Sequence, residues 1–253
     1  MYWRQSEGHQ VTINENKEAA LRFLQAFEGL LRQELPKGVA MDTAIREIVL
    51  EAGTNVQKKH LRKPEAAFLN YFVLPALFQQ IQEQAGLTET QAKDALLNEY
   101  HRTMPEISRQ SPIHALRHPF EKTMGVKPET VYHKWLKPEK GDGLTQSCPD
   151  FALRKPFPHS IVFEGKYLRR NASKTNAAKE LVGDLYQACF YRGLPRTAPR
   201  KPGLPAWDYD YACLIAFDAS RDGTLRDAWK ELSPKVQRSF WNGANVYVMI
   251  LRD

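Results

Sequence analysis

Cysteine is scarce in this sequence: three among 253 residues, Cys148, Cys189 and Cys213, with no CxxC spacing. An odd, scattered set excludes a zinc ribbon and a disulfide framework, and points to a reducing cytoplasm. Long hydrophobic runs are missing too. The most apolar stretch, residues 66–78, is too short to span a bilayer and contains Asn70 and Pro75. The opening Met1-Tyr-Trp-Arg-Gln lacks the apolar core of a signal peptide, so a soluble cytoplasmic protein with no membrane partner is expected. No Walker-type loop, GxGxxG turn or GxSxG elbow occurs, and the Cys and His positions lack zinc spacing. Nucleotide-driven work, dinucleotide binding and serine hydrolysis therefore have no visible engine.

Acidic residues are also in deficit, 29 against 36 Lys and Arg, for a net charge of +7. The deficit is local. Between Gly165 and Ala206 only Glu180 and Asp184 oppose nine bases, Lys166, Arg169, Arg170, Lys174, Lys179, Arg192, Arg196, Arg200 and Lys201. That stretch is +7 and the remainder balances at 27 against 27. Such a segment suits a polyanion, although a solvated basic face would look the same.

The first hundred residues carry helical periodicity. Ala19, Leu21, Phe23, Leu24, Phe27, Leu30 and Leu31 form a wide stripe over residues 18–35. A second helix is predicted over 41–52, capped by Asp42 and stopped by Gly53. Pro64-Glu65 opens a third through Phe78 and on to Gln84, bent at Pro75. Thr88-Glu-Thr-Gln reads as a capping box for a fourth reaching Tyr100. The texture changes near residue 112. A helix over 113–124 is followed by strand-like runs at 150–153, 160–168 and 209–217, a helix over 173–192, another over 222–232, and a strand over 244–251. Hairpinned strands followed by crossover helices predict a mixed α/β sheet flanked by helices. The expected organisation is an all-helical N-terminal region, 1–111, and an α/β core, 112–253.

The residues that carry chemistry are Pro149-Asp150 and Glu164-Gly165-Lys166. Side chains alternate along a strand, so Glu164 and Lys166 project together and Gly165 points away. If Asp150 opens the neighbouring antiparallel strand, its carboxylate meets them at the sheet end. Two such carboxylates repel each other unless a hard cation lies between them, and Mg²⁺ prefers oxygen sites of this kind. The plainer alternative is a surface hairpin with a solvated Glu164–Lys166 pair. The apolar run before the motif and the basic segment after it argue against that.

The chain here resembles the PD-(D/E)xK, or restriction-endonuclease-like, nuclease superfamily, over about residues 112–253. The resemblance implies Asp150 and Glu164 as metal ligands with the Gly165 carbonyl, Lys166 as the catalytic lysine, and Mg²⁺, with Mn²⁺ as a substitute, as cofactor. It also implies a DNA endonuclease of restriction, defence or repair type. RNA stays open as a substrate, as does a homodimer. Arg169, Arg170 and Lys174 would hold the nucleic-acid backbone. Glu180, Asp184, Gln187 and Tyr191 fall along one polar helical stripe, and Gln187 with Tyr191 is similar to the QxxxY motif of the recombination branch. Solvation of Gln187 and packing of Tyr191 would account for the spacing equally well. His114, His118, His133 and Glu121 are further candidates without a diagnostic spacing. The competing class is a non-cleaving nucleic-acid-binding or assembly protein on the same fold.

Overall fold

Residues 211–218, Tyr-Ala-Cys-Leu-Ile-Ala-Phe-Asp, are nearly all apolar, and all eight are buried. A strand without an alternating polar face needs cover on both sides. The computed structural model describes residues 5–37, 39–55, 58, 61–98, 102–104, 145–147, 150–169, 181, 184, 185, 188, 209–231 and 234–252. Its helices are α1 (Gln5–Glu34), α2 (Val39–Thr54), α3 (Pro64–Phe68), a π-helical turn (Leu69–Val73), α4 (Leu74–Ala85) and α5 (Glu89–Ala95). Strands β1 (Leu96–Asn98), β2 (Arg102–Met104), β3 (Thr145–Ser147), β4 (Phe151–Leu153), β5 (Ile161–Leu168) and β6 (Tyr211–Asp218) come next. Helices α6 (Thr224–Glu231) and α7 (Pro234–Ala244) precede β7 (Val246–Leu251). The main sheet is mixed and has the order β1-β4-β5-β6-β7. β1 with β4 and β4 with β5 pair antiparallel, while β5 with β6 and β6 with β7 pair parallel. β2 and β3 form a separate antiparallel pair.

Helices cover both faces of this sheet. On one, Phe23, Leu24, Phe27 and Leu31 of α1, Met41 and Ile45 of α2, and Phe68, Val73 and Leu77 join Phe163, Tyr167, Cys213, Ile215, Phe217 and Met249 in one core. Phe27 meets Phe163 edge-on at 6.3 Å, and Phe68 stacks obliquely 5.6 Å from Phe217. Val162, Ala212, Leu214 and Ala216 alternate onto the opposite face and are buried as well. The buried helical positions Leu181, Leu185 and Ala188, with Leu225 and Ala228 of α6 and Phe240 of α7, lie outside the first core. They make up the second helical layer.

Long-range bonds tie α1 to the end of the chain. Lys17 donates to the Trp241 carbonyl (2.9 Å) and to Asn245 Oδ1 (2.7 Å), at the C-terminus of α7. Arg32 donates to the Ile250 carbonyl (3.0 Å), and the Tyr247 hydroxyl donates to Glu28 (2.7 Å). Cations at a helix C-terminus meet its orphan carbonyls, so the Lys17 contact is favourable twice over.

Several elements depart from their sequence expectations. α1 starts at Gln5, well before residue 18. The capping box of Thr88 and Gln91 is formed, but α5 stops at Ala95. Leu96 turns extended because Leu96–Asn98 finds an antiparallel partner in β4, and a ladder outweighs another helical turn. Pro75 does not simply bend its helix. Its ring would crowd the carbonyl of Tyr71, and the π-turn just before it opens the coil there. α7 was not expected at all. The predicted helix over 113–124 lies outside the described residues.

At the C-terminal end of β6, Asp218 organises the start of α6. Oδ2 accepts the backbone N–H groups of Leu225 and Arg226, each at 3.0 Å, and Oδ1 accepts from the Ser220 backbone at 3.1 Å and from its hydroxyl. Gly223, at φ 66°, makes the left-handed turn between them. Asp218 is only 2% exposed, so its removal strands several donors. Asp218→Ala should lower unfolding free energy by about 3 kcal/mol, read as a lower urea midpoint. An unchanged midpoint would show that α6 starts without this cap.

Candidate functional site

The site lies where one strand outruns its neighbour. β4 pairs only with Ile161–Phe163, whereas β6 accompanies β5 through all eight residues. From Glu164 onward the other edge of β5 has lost its β4 partner. Asp150, the residue before β4, takes over there. Its Oδ2 accepts the Gly165 backbone N–H at 2.7 Å. A residue's N–H and C=O point to the same side of a strand, so the Gly165 carbonyl also turns toward this edge.

The middle residue of Glu164-Gly165-Lys166 is glycine for a packing reason. A Cβ at 165 would lie 2.1 Å from Leu69 Cδ2 on the π-turn. β5 therefore presses against the helical layer through Gly165, while Glu164 and Lys166 alternate away from it. This supplies the facing arrangement expected from the sequence: Asp150, Glu164 and Lys166 come together at one strand edge.

Two further acids join them. Lys166 Nζ is 3.6 Å from Glu65 Oε2 and 3.8 Å from Asp184 Oδ2. These separations are electrostatic rather than hydrogen-bonding. Glu65 sits in the first turn of α3, one residue after Pro64. Glu65 escaped the sequence reading because it stands 99 positions before Glu164 and has no spacing signature. Asp184 belongs to the polar stripe noted in the sequence and is its one described member. Gln187 and Tyr191 lie outside the described residues, as do Arg170, Lys174, Glu121, His114, His118 and His133. Arg169 follows β5 and is exposed.

Among the described residues, one ammonium, Lys166, is placed with four carboxyls. Glu164 bears the consequence. Burial first, then the negative charges of Asp150, Asp184 and Glu65, hold its carboxyl well above the usual range, and Lys166 offsets this only in part. Its Oε2 is shut off from solvent with no hydrogen-bond partner among the described residues. Two things can relieve such an oxygen, a proton or a cation. Among the described residues, no group of three or more His, Cys, Asp or Glu is gathered closely enough to hold a metal ion.

Two outcomes follow. Gly165→Ala should cost about 1–3 kcal/mol through overpacking against the buried Leu69, seen as a lower urea midpoint. Leu69→Ala in the same chain should restore part of that loss; no recovery would mean that another contact excludes the methyl group. For Glu164, the folded state holds the proton more tightly than the unfolded state does. Its contribution is fully present below the ordinary 4.5 and is lost as pH rises through the elevated folded value. In EDTA, Glu164→Gln should therefore gain stability relative to the parent as pH increases above about 4.5. Parallel stability–pH curves would mean that Glu164 titrates normally.

Comparison with protein-family models, with curated proteins and with solved structures finds no match to this chain.

Proposed function

We propose that this chain is a metal-dependent nuclease acting on DNA, an endonuclease built on a restriction-endonuclease-like α/β core. The observation that carries the reading is the meeting of Asp150, Glu164 and Lys166 at the unpaired edge of β5, with the Gly165 carbonyl turned to the same side. The donor set suits Mg²⁺ or Mn²⁺: two carboxylates and a carbonyl, all hard oxygens. The buried Glu164 Oε2 without a hydrogen-bond partner supports the fit. When bound, such an ion supplies Lewis acidity toward a phosphoryl oxygen and toward an attacking water.

The chain's own residues have distinct tasks. The Gly165 N–H holds Asp150 in place, so this carboxylate is oriented before any ligand arrives. Lys166 presents positive charge where the phosphorane develops negative charge. Glu65 and Asp184 hold its ammonium at the site. Exposed Arg169 and the basic run after it supply sequence-independent attraction to the nucleic-acid backbone. A non-cleaving DNA-binding protein on this scaffold is the second reading, favoured by the engagement of Lys166 with two acids.

Nicking of supercoiled DNA in Mg²⁺ or EDTA decides between them. Asp150→Asn keeps an acceptor for the Gly165 N–H, and Glu164→Gln removes charge at nearly constant shape. Each should reduce Mg²⁺-dependent nicking on the order of a thousandfold. Full activity in either folded variant would falsify the assignment. Lys166→Ala should slow turnover at saturating DNA far more than it weakens binding measured in Ca²⁺. A collapse of affinity with unchanged turnover would make Lys166 a backbone clamp only.

A further inference from the structure

A cavity of about 530 Å³ adjoins the carboxylate cluster from the helical side of β5. Two chain segments build both. Pro64 lines the cavity while its neighbour Glu65 faces Lys166, and Tyr167 lines the cavity while its neighbour Lys166 joins the cluster. Alternation along the strand and the turn of a helix start thus put one residue of each pair on each side. We propose that this cavity binds a nucleoside phosphate, either free or as one nucleotide of a strand. The strand form rests on the nuclease reading and would hold the nucleotide next to the cleaved bond.

The lining combines cationic and apolar side chains. Arg46, Arg62 and Arg169 face a single acid, Asp42. Asp42 pairs with Arg46 at 3.0 Å, which leaves a net of two positive charges. Arg62 is held in advance: its guanidinium donates to the Ala52 and Gly53 carbonyls (3.2 and 3.1 Å) near the end of α2. Guanidinium groups fixed in this way suit phosphate oxygens, which they grip through paired N–H donors. The apolar part of the lining is Ile45, Val49, Leu50 and the Tyr167 ring. Leu50, one of the lining residues, is 71% exposed, among the most exposed large apolar side chains described. An apolar wall with an aromatic ring suits a base, and the volume falls within the range of small-ligand pockets. Inorganic phosphate would leave that wall wet, and a purely apolar ligand would leave the arginines unmatched. A volume of about 530 Å³ is on the scale of a single nucleotide rather than a duplex.

The test is titration calorimetry of the full chain in EDTA, where no metal-dependent cleavage occurs. The probes are dAMP, deoxyadenosine and inorganic phosphate. dAMP should bind with Kd near or below about 1 mM, and the other two at least about tenfold more weakly. Val49→Trp should fill the cavity and abolish dAMP binding. Arg46→Ala should weaken it about tenfold. If Val49→Trp does not fold, Arg46→Ala decides alone. A single-stranded tetranucleotide that competes with dAMP identifies a strand nucleotide as the occupant, and one that does not compete overturns the strand form. Parent-like dAMP binding in both variants, or phosphate binding as tightly as dAMP, overturns the proposal. The nuclease reading is judged separately by nicking. Loss of nicking ability leaves a cavity that still discriminates dAMP, and intact nicking does not rescue a cavity that fails to.

Discussion

At Gly165 the sheet approaches its helical layer so closely that a single methyl group would overlap Leu69. This close approach sets where everything else at the site can be. It draws α3 and the π-turn against the second half of β5, which brings Glu65 within reach of Lys166. It also turns the Gly165 backbone to the edge that β4 leaves unpaired, where Asp150 bonds it. A bulkier residue here would have to displace the buried Leu69 side chain. The glycine of the motif is thus a packing constraint with an electrostatic consequence.

That consequence is a group of acids drawn together around Glu164 and Lys166. Glu164 feels the neighbouring acids Asp150, Asp184 and Glu65 together with its own burial, and Lys166 opposes them only in part. Repulsion of this kind costs folding free energy. The fold tolerates it because the main core lies on the other sheet face, where Phe27, Phe68, Phe163 and Phe217 interlock. Structural burial is concentrated on one side of β5 and unsatisfied charge on the other, a division that strand alternation makes available to adjacent residues.

Much of this was legible in the sequence where the signal is local. The capping box of Thr88 and Gln91, the helix opening at Pro64, the apolar runs of β5, β6 and β7, and the shared side of Glu164 and Lys166 all depend on neighbours within a few positions. What escaped depends on distant partners. Leu96–Asn98 is a strand only because β4 is there to pair with it. The π-turn answers to Pro75 and to the packing of Leu69 together. Glu65 looked like an ordinary first-turn acid, favourable at any helix N-terminus, and gave no sign of the lysine it would face. The expected all-helical region before residue 112 contains β1 and β2, and its helices share one core with the strands, which no local signal reveals.

The cluster and the neighbouring cavity show how one strand end can hold opposite charges in separate places. Lys166 and Tyr167 are consecutive, yet the first lies among four acids and the second borders three arginines. In water such groups would screen one another. Here the strand backbone and the start of α3 keep the groups apart in space, while their fields still reach across the low-dielectric protein between them. The Tyr167 phenol reflects this position, with burial and the nearby Asp42 holding it protonated far above its ordinary range and Arg46 opposing them. An anionic ligand on the arginine side and a cation on the carboxylate side would each lower the cost of the charge it meets. Because the two occupants carry opposite sign across one strand, each should also favour the other, a coupling that arises from position alone.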